Sequence, residues 1–417
     1  MLSSLEQRVC REIESRRSDL IADLRLHVSL PTGGGPCNSP ALDESRDRLC
    51  NRLLALGATR DDVPGVPRPD WLYSLAKPAR NASSIPPTAI CRRLSRGDSP
   101  AVLIAGHLDT VHDPSGPFRD LSIAPGGKTA VGPGCVDMKG GLVIAAAALE
   151  ALGSVGGDAD RLNWSVLLNS DEESGSFHSE PAIRAEAASG RYAAGLALEP
   201  ATADGGLVVE RAGTGQFMID VRGKAAHVGR DFSSGVSAVT PLAEAIIALS
   251  KLSDPHAGRI VNVGPIQGGI ATNVVPDHAS AWGNVRFATP DDAMILERQL
   301  HEVVRSLNHA TGPRAPGDGL PRITLHTSFN RAAKPLIPAT LALAEQYRAV
   351  SEAIGKPLPF SKTAGVCDGN IMQGAGLATI DTVGVRGGGL HTPQEWIELD
   401  SLVDRCQMLA VLLLRLR

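Results

Sequence analysis

The sequence predicts an α/β fold interrupted by a smaller α+β unit. Over the first half of the chain, short continuous apolar runs alternate with helical segments, the pattern of parallel strands buried on both faces. Several of these runs stop at a His, Asp or Glu. That places polar groups at the carboxyl ends of strands, where an open α/β sheet binds its ligands. After about Glu210 the strands alternate apolar and polar residues, in the order strand, helix, strand, strand, helix, strand, as in a one-sided antiparallel sheet.

Residues 4–29 carry leucines at helical spacing among charges and predict a surface helix, ended by Pro31 and Gly33–Gly35. A second amphipathic helix is expected over Ala41–Gly57, closed by Gly57. Asp61–Pro87, rich in proline and charge, reads as irregular. Ile90–Leu94 and Val102–Ala105 predict paired strands, and the Gly- and Pro-rich stretch Pro114–Gly134 suits a loop lining a site. Met138–Leu152 reads as an apolar helix on a sheet. Trp164–Leu168 and Ala194–Leu198 read as further buried strands, running into Asn169-Ser-Asp-Glu-Glu and Glu199. The second unit is expected over 211–327, with strands at Gln216–Arg222, Ile260–Val263 and His278–Arg286 and helices at Val236–Leu252 and Asp291–Leu307. The chain then rejoins the first unit (1–210 with 328–417) through helices over Thr340–Ile354 and Ser401–Leu416.

With 43% hydrophobic and 21% charged residues, the chain can bury sizeable cores, and its 3% aromatic content makes those cores aliphatic. A formal charge of −4 is nearly balanced and gives no argument for nucleic acid or an acidic membrane surface as partner. Seven cysteines without regular spacing fit free thiols in a reducing compartment. The charged N-terminus lacks the apolar core of a signal peptide, and no run reaches the ~18 apolar residues of a membrane span, so a cytoplasmic protein is expected.

The chemistry starts from Val102–Asp109, V-L-I-A-G-H-L-D. In an extended backbone His107 and Asp109 fall on one side, so Asp109 can accept from one ring nitrogen and leave the other for a metal. Asp137 follows a Gly-Pro-Gly turn, Glu172 and Glu173 follow one strand, Glu199 follows another, and His391 lies among glycines. Carboxylates crowded at one sheet edge repel one another unless a cation lies between them. Two imidazoles with three carboxylates suit zinc or a similar transition ion. Five such groups fit two ions sharing a bridging carboxylate and clamping a water. Glu172 and Glu173 point to different sides, so one can bind metal while the other moves a proton.

The ordered motifs G-H-L-D-T-V, G-C-V-D-M-K-G-G, D-E-E-S-G-S, A-L-E-P, G-K-A-A-H-V-G and G-G-L-H-T resemble the di-zinc metallopeptidase superfamily of aminoacylases, succinyl-diaminopimelate desuccinylase and glutamate carboxypeptidase. The glutamate carboxypeptidase (carboxypeptidase G) branch is nearest, above all at Asn169–Ser176 and Thr272–Arg286. The resemblance implies a zinc-exopeptidase-like catalytic domain, its mixed sheet flanked by helices, with an inserted ferredoxin-like lid that makes a homodimer. It implies two zinc ions per chain, one on His107 and Glu199 and the other on Glu173 and His391, bridged by Asp137. Asp109 would orient His107, and Glu172 would be the general base and acid. His227 would reach into the partner's active site, and Asn273 and Arg286 would lie near the substrate carboxylate, with Arg331 a further candidate. A cis peptide at Asp137–Met138 is also implied.

Each residue has a bland alternative. Asp137 could cap a helix, Glu172 and Glu173 could form a solvated turn, Glu199 could be a loop residue, and His227 or His391 could lie idle at the surface. Arg286 could make an ordinary salt bridge on its strand. Their occurrence together in this order favours an enzyme that cleaves an amide beside a free carboxylate, from a C-terminal residue or an N-acyl amino acid. Desuccinylation, deacylation or carbamoyl-amide hydrolysis of a small metabolite is the alternative on the same fold. A metal-binding protein without turnover is disfavoured by the presence of both Glu172 and Asp109.

Overall fold

The computed structural model describes residues 1–35, 37–72, 85–94, 100–311 and 321–417. Helices α1 (Ser4–Ser15) and α2 (Arg17–Ser29) open the chain. The single expected helix breaks at Arg16, whose backbone (φ −96°, ψ 11°) leaves helical geometry. Helix α3 (Pro40–Ala55) starts at Ser39, whose hydroxyl accepts from the Leu42 N–H. Strands β1 (Thr59–Val63), β2 (Thr88–Arg93), β3 (Ala101–His107), β4 (Ser122–Ile123) and β5 (Thr129–Val131) follow, then α4 (Gly140–Val155) and β6 (Trp164–Asn169). Next come α5 (Glu180–Ala187), β7 (Tyr192–Ala197) and β8 (Leu207–Arg211). β1 lies in the stretch read as irregular: exposed Asp61 and Asp62 on a sheet edge give no apolar pattern to detect. Residues 73–84 of that stretch lie outside the described residues. β4 and β5 lie in the stretch read as a loop.

The second group comprises β9 (Gly213–Arg222), α6 (Val239–Ser250), β10 (Ile260–Gly268), β11 (His278–Phe287), α7 (Pro290–Thr311) and β12 (Arg322–Arg331). These strands form an antiparallel sheet in the order β10-β11-β9-β12, with a core of its own around Phe217, Ile219, Leu242, Leu296 and Leu300. β12 continues to Arg331, past the expected return at 328.

The rest is α8 (Pro338–Ile354), β13 (Phe360–Thr363), α9 (Asp368–Gly374), β14 (Thr379–Ile380), β15 (Gly387–Gly388), β16 (Trp396–Glu398) and α10 (Asp400–Arg415). The large sheet has the order β1-β2-β6-β3-β7-β14, antiparallel across β1, β2 and β6 and parallel from β6 to β14. β3 shows why its sequence is continuously apolar. Val102 and Ile104 join the core beneath α4 and α10, while Leu103 and Ala105 join a separate core beneath α5 and α9. Truncating Leu103 or Ile104, both fully buried, to Ala would cost ~2–5 kcal/mol. Two small sheets, β8 with β13 and β15-β16-β5-β4, complete the strands. Among the described residues, no helix is long and apolar enough to cross a membrane.

Candidate metal centre

The carboxyl ends of three adjacent parallel strands meet at one place. His107 ends β3 opposite Asn169 of β6, β6 runs on into the turn that carries Glu172 and Glu173, and Glu199 lies just past β7. Asp137 arrives from the turn Cys135–Lys139 ahead of α4, and its peptide bond to Met138 is cis, as the resemblance implied. Gly141 lets α4 approach that strand end, since a Cβ there would lie 2.4 Å from the Leu198 carbonyl oxygen. His391 completes the group from a glycine-rich loop in a left-handed backbone (φ 63°), an uncommon conformation for a non-glycine residue.

Asp137 is central. Its Oδ1 lies 3.3 Å from His107 Nε2, and its Oδ2 lies 3.4 Å from His391 Nε2. His391 Nε2 is also 3.3 Å from Glu173 Oε2. Ligand atoms of His107, Asp137 and Glu173 all fall within 4.8 Å of one another. Asp109 faces His107 Nδ1, 2.9 Å from its main-chain oxygen and 3.4 Å from its carboxylate. The Asp109 carboxylate itself accepts the N–H groups of Glu172 (3.2 Å) and Glu173 (3.0 Å), because the turn aims both at it.

Three buried atoms here have no hydrogen-bond partner: His107 Nε2, Asp137 Oδ1 and Glu199 Oε1. Unpaired buried polar atoms are costly, and these are all donors to metal, so the residues fit divalent ions. The electrostatics agree. Burial raises the proton affinity of Glu173, and burial together with Glu172 and Asp137 raises that of Glu199 well above the usual range. Burial disfavours the imidazolium of His107, but Asp109 and Asp137 outweigh it and lift its pKa well above normal. Hydrogen bonds to Asp137 and Glu173 raise that of His391 to about 10. Every one of these groups calls for positive charge.

Glu172 is buried beside this cluster, and burial raises its pKa to about 8 against the opposing pull of Arg331 and His107. It borders a cavity of about 970 Å³ between the large sheet and the face of the second sheet that carries Thr214, Gln216, Asn284 and Arg286. Arg286 Nη1 is a buried donor without a partner. Arg331 also borders the cavity, but its Nη2 is engaged by Glu172. His227 and Asn273 lie elsewhere, side by side: Val228 N–H donates to the Asn273 oxygen and His227 bridges Val274, while the ring of His227 is exposed and accepts from Gly229. Within one chain the structure therefore brings together the metal-type residues, Glu172, Asp109, Arg286 and Arg331, but not His227 or Asn273.

One residue escaped the sequence reading. Glu395 is buried, and its carboxylate accepts from the N–H groups of Gly134 (2.8 Å), Val136 (2.9 Å) and Asp137 (3.1 Å) and faces His112 Nε2 at 2.5 Å. The available signal was an acid four residues after His391.

The chain is similar to known proteins over most of its length. Carboxypeptidase G2 of Pseudomonas sp. (strain RS-16) is 26% identical over 326 residues, covering 76% of this chain and 74% of that protein. Aminopeptidase PepT of Bacillus cereus shares the fold with a TM-score of 0.69 at 19% identity, over 96% of this chain and 98% of that one. Bacillus subtilis YXEP protein, described as a dinuclear metal binding peptidase, does so with a TM-score of 0.60 at 16% identity, over 96% and 98%. The profile of peptidase family M20/M25/M40 matches residues 103–415, and the chain belongs to that family.

Proposed function

We propose that this metallohydrolase binds two zinc ions and cleaves the amide bond between an acyl or peptidyl group and an amino acid with a free carboxylate, as a glutamate carboxypeptidase does. The observation that carries this reading is Asp137, whose two oxygens face two different imidazoles while Glu172 stands beside them. His107 and Glu199 would hold one ion, Glu173 and His391 the other, with Asp137 between. When bound, the ions supply Lewis acidity that polarises a carbonyl and makes water acidic near neutral pH.

Glu172 accepts a proton from the attacking water and returns it to the leaving nitrogen. Its raised proton affinity suits it to both halves of that exchange. Asp109 keeps the Glu172–Glu173 turn at a fixed distance from His107. Arg286, on the cavity wall, receives the substrate carboxylate. In a homodimer built on the second sheet, His227 and Asn273, adjacent on an exposed edge, serve the partner's cavity, His227 as a donor to the developing oxyanion and Asn273 beside the substrate carboxylate. The lining contains no Phe, Tyr or Trp among the described residues, so polar acyl groups are favoured over flat aromatic ones.

The test is a panel of N-acetyl, N-succinyl, N-carbamoyl and N-benzoyl amino acids and dipeptides, each with its carboxylate free or amidated, given to zinc-loaded protein. Cleavage of free-carboxylate substrates that weakens on amidation supports the reading. Equal cleavage of both forms, or of neither, contradicts it.

A further inference from the structure

We propose that Arg331 is a positioning residue for Glu172, and that it ties the direction of that carboxylate to the second sheet. The inference rests on the assignment of Glu172 as the proton carrier. Arg331 is the last residue of β12 and pairs with Thr214 of β9, so it belongs to the second sheet, whereas Glu172 lies in the turn after β6 of the large sheet. Its Nη2 is 2.9 Å from the main-chain oxygen of Glu172, 2.8 Å from Glu172 Oε1 and 2.7 Å from the Ser176 hydroxyl. Asp368 braces the far side: its Oδ1 lies 3.8 Å from that nitrogen and accepts the Ser176 hydroxyl at 2.6 Å. The preceding residue, Asn330, donates to the Gly175 oxygen at 2.7 Å.

Two consecutive residues of the second sheet thus take carbonyls of the 172–176 turn, while Asp109 of the large sheet takes its N–H groups. The turn is gripped from both sheets at once. Asp109 fixes the turn's N–H side from the first unit, and the second sheet adds the contact that reaches the Glu172 carboxylate itself. The same contacts argue against Arg331 as a receptor for the substrate. It is 5% exposed and its charge is already matched by Glu172 and Asp368, whereas Arg286, half-buried on the cavity wall, pairs with no carboxylate among the described residues.

The experiment compares Arg331→Ala and Arg331→Lys, alone and combined with Glu172→Gln, using the best panel substrate, with zinc content measured for each. A positioning role predicts that Arg331→Ala lowers kcat ~10²-fold with KM within about threefold and zinc content unchanged. Arg331→Lys should recover part of the loss, and Arg331→Ala should cost little more once Glu172 is already Gln. If Arg331→Ala does not fold, Asn330→Ala must show the same pattern at smaller size. A rise in KM beyond about tenfold with kcat kept would make Arg331 a substrate receptor, and losses that simply multiply with Glu172→Gln would separate it from Glu172. Either result overturns the inference. Full activity of Glu172→Gln would instead overturn the assignment of the proton carrier, while an inactive Glu172→Gln beside a fully active Arg331→Ala would overturn this inference alone.

Discussion

The carboxylate of Glu395 accepts the main-chain N–H of Asp137 at 3.1 Å, so the residue between the two imidazoles is held by a side chain from the His391 loop. Neutralising Glu395 as Gln places a donor against the N–H groups of Gly134, Val136 and Asp137. Groups that orient metal ligands typically govern ~10–100-fold in metal affinity. Glu395→Gln should weaken zinc binding by that much in competition with a chromogenic chelator. Unchanged affinity would show that the turn holds Asp137 unaided.

Glu172 and Glu173 are neighbours with different surroundings, and their substitutions should separate. Glu172→Gln should keep its zinc and lose ~10²–10⁴-fold in turnover. Glu173→Gln, which removes a carboxylate facing His391, should lose zinc affinity first. The two phenotypes reversed would mean that the roles are swapped.

His227 offers a test across subunits. In the proposed homodimer, a mixed pair of His227→Ala with Glu172→Gln would leave one cavity with both defects and the other with neither. Co-refolded mixtures should recover up to about a quarter of wild-type turnover, because half the dimers are mixed and half of their sites are intact. No recovery from dimers shown to exchange chains would return His227 to its own cavity or remove it from catalysis.

Stability has a separate acid-sensitive element in His27, buried on α2 with its Nδ1 3.5 Å from the Ser45 hydroxyl. Burial, with Arg52 and Lys139 nearby, lowers its pKa from 6.5 to about 4. Between those values the unfolded chain binds a proton that the folded chain refuses. The stabilisation is therefore complete above pH 6.5 and is lost as pH falls toward 4, reaching ~3 kcal/mol. Urea unfolding of His27→Gln should show a shallower loss over that interval than wild type, and parallel curves would remove His27 from the acid response.

Much of the centre was legible because its residues end apolar runs. His107 and Glu199 mark the ends of β3 and β7, and continuous apolar sequence there reports burial on both faces. The alternating strands of the second sheet were legible for the converse reason, one face being apolar and the other polar and only partly buried. What escaped depends on contacts with no local trace. Glu395 and Val136 are 259 residues apart, and Arg331 and Glu172 are 159 apart. Nothing in the F-N-R segment around Arg331 shows that its charge is spent internally. β13–β16 and α9 are too short to display a period, and the break at Arg16 sits within an unbroken helical pattern.

The central claim is that Asp137 lies between two metal sites, and metal stoichiometry tests it most directly. Protein stripped of metal, reloaded with zinc and freed of excess should hold about two ions per chain by elemental analysis, with Asp137→Ala holding fewer. Folded wild-type protein that retains no zinc, or at most one ion per chain at saturation, would contradict the account.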